Sequence, residues 1–61
     1  MSPEDKAVYA GRLHLACREI RLAVAVLDKD DEVPPDEATV ARLANATEIL
    51  AYVTQELRRA H

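Results

Sequence analysis

Leu27-Asp28-Lys29-Asp30-Asp31-Glu32-Val33-Pro34-Pro35-Asp36-Glu37 separates two stretches that carry the same apolar rhythm. Tandem prolines lack amide donors and push the residue before them out of the helical region, so no helix runs through this segment. Before it, Tyr9, Leu13, Ala16, Ile20, Ala23 and Leu27 alternate spacings of four and three. After it, Thr39, Leu43, Ala46, Leu50, Val53, Leu57 and Ala60 do the same. Such spacing marks the seam of a packed helix. The pattern predicts one domain over residues 1–61, with helix 1 over about 3–29, a connector over about 30–35 and helix 2 over about 36–59. A connector this short makes the helices antiparallel neighbours. The fold class read from the sequence is therefore all-α, an antiparallel two-helix hairpin.

The ends of both helices carry matching signals. Ser2 suits an N-cap, Pro3 the first helical position, and Asp5 the place of a capping-box acid. Asp36 and Glu37 favour the start of helix 2, with either Pro35 as its first residue or Asp36 as its cap, and Arg58, Arg59 and His61 suit its end. The run Leu22 to Leu27 has strand-like composition, but it continues the helical period without a turn signal.

Size and composition restrict what such a chain does. With 61 residues it forms one small domain, which at best buries about 60 % of its unfolded surface. The single Cys17 closes no intrachain disulfide, and two histidines make a four-ligand zinc site within one chain improbable. Eleven alanines with no Phe or Trp are the composition of closely packed helices. The longest apolar run is too short to span a bilayer and the acidic N-terminus is unlike a targeting segment, so the expected setting is cytoplasmic, without a membrane. Six acids against Lys29 between Asp28 and Glu37 place −5 in the connector and leave +2 for the rest, for a net charge of −3.

Helix 1 has a second apolar stripe. Val8, Leu15, Leu22 and Val26, with Gly11 nearby, line up on a face separated from the seam by Arg12 and Glu19. A hairpin covers one stripe per helix. Full burial of these two leucines and two valines is worth about 6 to 12 kcal/mol per chain, and about twice that for a pair, against an association cost of roughly 4 to 15 kcal/mol. The expectation is a homodimeric four-helix bundle with Val8, Gly11, Leu15, Leu22 and Val26 in the dimer interface. The alternative is a stripe of leucines simply left at the surface.

In hairpin length, connector position and the large-small alternation Leu13-Ala16-Ile20-Ala23-Leu27 and Leu43-Ala46-Leu50, the chain resembles the Rop type of plasmid copy-number regulator. The resemblance implies an antiparallel four-helix bundle that binds RNA. On the face of helix 1 where it calls for aromatic and amide residues, this chain carries His14, Arg18 and Arg21. Those three, at i, i+4 and i+7, form a small basic face that suits phosphates and equally suits a solvated surface.

Other constellations point to little chemistry. Cys17 follows His14 by three residues, but beside an apolar seam a cysteine behaves as a small hydrophobe. Asp28, Asp30 and Glu32 alternate like the start of a calcium loop without its turn glycine or its terminal bidentate acid. Asn45-Ala46-Thr47 matches a glycosylation sequon inside a helix. No phosphate loop, carboxylate pair or nucleophile triad is present, and two helices enclose no sizeable pocket, so the expectation is a non-enzyme without metal or cofactor. Tyr52, with Asn45, Glu48 and Gln55 around it, is a candidate anchor for a partner protein. The reading is a small oligomeric protein-interaction module, an adaptor or regulatory subunit. Its alternative is a Rop-like nucleic-acid-binding regulator using His14, Arg18 and Arg21.

Overall fold

The computed structural model describes residues 1–60. Two helices, α1 (Pro3–Leu27) and α2 (Glu37–Arg59), pack against each other as an antiparallel hairpin. Helix α1 starts where the capping residues place it: the Ser2 hydroxyl oxygen accepts from the Asp5 amide at 3.1 Å, with Pro3 at the first position. It stops at Leu27, two residues before the expected end. Asp28 caps it in the right-handed region, donating its amide to the Val24 carbonyl at 2.8 Å. No described residue has a positive φ, so the helix ends without a left-handed turn. The prolines at 34 and 35 reach back only to residue 30, so they keep the helix from continuing through the connector without fixing its last residue.

Of the two possible starts for α2, the cap at Asp36 is the one formed. One carboxylate oxygen of Asp36 accepts both the Thr39 amide at 2.9 Å and the Thr39 hydroxyl at 2.8 Å. These bonds, the hydroxyl's first, hold the Asp36 carboxyl below the usual carboxylate range. Arg58 and Arg59 lie in the last turn of α2, next to its negative dipole end. His61, expected beside them, lies outside the described residues.

The core is built from small side chains. Ala16 and Ala23 of α1 and Thr39, Ala46 and Val53 of α2 are the buried residues among those described. Tyr9, Leu13, Ile20, Val26, Arg42, Ile49 and Glu56 are half-buried around them. Helix α1 follows its expected seam along most of its length. Helix α2 is turned slightly from its own: the seven-residue series Thr39, Ala46, Val53 stays central, but Ile49 enters on one side while Leu43, Leu50 and Leu57 are left exposed on the other. The reason is steric, since alanines at the crossing let the helices approach more closely than leucines permit.

The hairpin is long and thin, 46 × 15 × 15 Å with a radius of gyration of 14.4 Å. A compact domain of this length has a radius near 10.5 Å (about 2.2·N^0.38). Its accessible surface is 5013 Å², about 1,000 Å² more than the roughly 4,000 Å² that mass scaling gives a compact monomer of this size.

Candidate functional site

Two long flanks lie either side of the α1–α2 seam. Their composition follows from the helical repeat of about 100° per residue and from contacts that set the register. The Arg42 guanidinium lies 3.6 Å from the Glu19 carboxylate. Arg12 sits over the Tyr52 ring at 5.2 Å from its centroid. Because the helices are antiparallel, Arg12 and Glu19 of α1 and Arg42 and Tyr52 of α2 share one flank, together with Asn45.

That ionic flank also carries the second stripe of α1. Val8 and Leu15 are each 50 % exposed and Leu22 38 %, with Val26 half-buried at its end. Residues read separately from sequence, Leu15 for self-association and Tyr52 for a partner, therefore come to the same side of the molecule. Glu48 and Gln55 point further round to the outside of α2 and are exposed. Gly11 is exposed, and a Cβ placed on it would meet nothing within 4 Å, so the hairpin itself has no use for a glycine there. Arg42 and Glu19 retain 40 % and 19 % side-chain exposure, a partly screened pair of modest strength. Deeper between the helices at the open end, desolvation, helped by Glu56, pushes the Tyr9 hydroxyl pKa upward.

The opposite flank has a different chemistry. It runs from Leu13, Cys17, Ile20, Val24 and Leu27 on α1 to Leu43, Thr47, Leu50, Thr54 and Leu57 on α2, and none of these ten side chains is charged. Val24, Leu27, Leu43, Leu50 and Leu57 are between 38 % and 56 % exposed. Cys17, expected to pack as a small hydrophobe beside the seam, is exposed here. The exposed Thr47 hydroxyl donates to the Leu43 carbonyl of its own helix at 2.8 Å, which satisfies its proton within the helix. A shallow open depression lined by Thr47, Leu50, Ala51, Thr54, Gln55 and Arg58 lies at the outer edge of this flank. The sequence signal for it was the seven-residue repeat Leu43, Leu50, Leu57, which the seam reading had assigned to the inside of the hairpin.

The remaining faces hold polar groups. His14, Arg18 and Arg21 are exposed on the side of α1 away from α2, and among the described residues Arg18 and Arg21 form no ion pair. In the connector the Asp31 carboxylate accepts the Val33 amide at 3.2 Å and the acids are exposed. Among the described residues no three His, Cys, Asp or Glu side chains gather as a metal site, and no helix is long and apolar enough to cross a membrane. No family model, curated protein or solved structure matches the chain.

Proposed function

We propose that the protein is a small non-enzymatic interaction module, an adaptor or regulatory subunit, that works as a homodimeric four-helix bundle in the cytoplasm. The observation that carries this reading is the surplus surface. A 5013 Å² exterior means that roughly half of the unfolded surface is buried, against about 60 % for a compact chain of this mass. Completing the burial of Val24, Leu27, Leu43, Leu50 and Leu57, each about half exposed, is worth roughly 3 to 7 kcal/mol per chain and about 7 to 13 for a symmetric pair. Association costs about 4 to 15 kcal/mol, and the remaining surface of Leu13 and Ile20 adds to the gain. Sedimentation equilibrium over a micromolar concentration series tests the reading: twice the 6.8 kDa chain mass is expected. A folded species of single-chain mass throughout overturns it.

A second reading rests on His14, Arg18 and Arg21, whose exposure on one face leaves them available to phosphates. Dimerisation would double this patch. Retardation of RNA at low salt that weakens steeply with added salt and on Arg18→Ala would establish it. No retardation at low salt removes it.

A further inference from the structure

Resting on the homodimer reading above, we infer that the uncharged flank is the seat of a second copy of this chain, packed with the two connectors at opposite ends of the bundle. Charged residues make up 31 % of the sequence, yet the ten central side chains of this flank include none. On the ionic flank, a second copy would bury Arg12, Glu19 and Arg42, whose desolvation opposes association. The dimensions suit a self-complementary partner. Two hairpins 46 Å long and 15 Å wide laid face to face bury roughly 1,400 Å² in total, within the 1,200–2,000 Å² class of stable interfaces.

The charges at the two ends select the orientation. The connector end carries −5 between Asp28 and Glu37. At the open end, Glu4, Asp5 and Glu56 are balanced by Lys6, Arg58 and Arg59. Pairing with both connectors at one end would set −5 beside −5 across a helix spacing of about 8–10 Å, comparable to the Debye length of about 8 Å. Reversing one copy separates the acidic segments by the length of the hairpin and puts each next to the partner's Lys6, Arg58 and Arg59. A two-fold axis across the helices produces this arrangement and leaves the interface isologous.

A spin label at Asp30→Cys in a Cys17→Ser background, where it is the single thiol, reads the orientation by dipolar distance. The expected separation is about the 46 Å length of the hairpin. A separation under about 20 Å, two helix spacings, overturns the orientation while leaving the dimer intact. Sedimentation of Leu50→Glu and Leu15→Glu tests the surface: Leu50→Glu is expected to raise the dimer Kd more than about 100-fold, with Leu15→Glu close to the parent. The reverse result overturns the choice of flank, as does a Leu50→Glu that dimerises like the parent. Should Leu50→Glu lose helicity, Thr54→Glu, exposed on the same flank, repeats the test without touching the α1–α2 seam. A label that shows no dipolar coupling, in a protein that sediments as a monomer, instead rejects the homodimer reading itself.

Discussion

Both flanks of the hairpin expose leucines, and to similar extents: Leu15 and Leu22 at 50 % and 38 % on one side, Leu50 and Leu57 at 42 % and 38 % on the other. They differ in what stands beside those leucines. On the first side Arg12 and Glu19 stand between the stripe and the seam and are held there, one over Tyr52 and the other by Arg42. On the second, Leu43, Leu50 and Leu57 face Leu13, Ile20 and Val24 across the seam with only Cys17, Thr47 and Thr54 alongside. Exposure alone therefore fails to separate a partner-binding surface from an ordinary one, because a leucine flanked by ions cannot be dehydrated without dehydrating the ions too.

The largest expected effect breaks the uncharged flank. Leu43→Glu combined with Leu50→Glu should abolish the dimer at all micromolar concentrations, and Leu15→Glu combined with Leu22→Glu should leave its mass unchanged in the same sedimentation run. Next comes the seam that both flanks share. Ala16 is wholly buried at the helix crossing, so Ala16→Leu should cost about 1–3 kcal/mol through overpacking, seen as a lower urea midpoint.

A finer test uses Gly11 on the ionic flank. With nothing within 4 Å of an added Cβ, Gly11→Ala should stabilise the protein by about 0.5–1 kcal/mol in thermal melts and leave the dimer Kd unchanged. A loss of dimer affinity would transfer the interface to that flank. Removing Tyr52 from beneath Arg12 by Tyr52→Ala should cost about 0.5–1 kcal/mol of the cation–π term, on top of the burial lost with the ring, and Arg12→Gln should isolate the smaller part.

The Asp36 cap supplies a pH test that both flanks should pass equally. Its carboxyl pKa lies below the unfolded value in the folded state, so its contribution is complete above the unfolded pKa of about 3.9 and is lost as pH falls through the folded value. Melting temperatures of the parent and Asp36→Ala should accordingly differ by a constant amount from neutral pH down to about 5 and converge below about 4. A gap that persists at the lowest pH would show that the carboxylate charge is not what holds the cap.

Much of this was legible in the order of residues. Ser2, Pro3, Asp36 and the prolines at 34 and 35 act on backbone groups within four positions of themselves, and both helices begin within two residues of their capping signals, while α1 ends at Leu27, seven residues short of the first proline of the break. The seam of α1 was legible for the same reason, as a local periodicity. Less legible was the position of Leu43, Leu50 and Leu57, which lie outside although they satisfy the four-three rhythm, because Arg42, Ile49 and Glu56 satisfy a three-four rhythm around the same Thr39, Ala46 and Val53 and are the ones half-buried. A period identifies which positions share a face, but the rotation of α2 about its own axis is settled by what α1 offers opposite, and Ala16 and Ala23 there keep Ala46 and Thr39 at the centre with Leu43 and Leu50 to one side.

What the sequence determined alone is an all-helical hairpin with an acidic bend, because propensity, capping and proline geometry operate over one or two turns of chain. Only the tertiary structure decided that Leu15 and Tyr52 share an ionic flank while Leu13 and Leu50 share a neutral one. The short connector already fixed the antiparallel sense, but that outcome also depends on the relative rotation of two helices some 30 residues apart, which close packing around Ala16, Ala23 and Ala46 sets and no local pattern encodes.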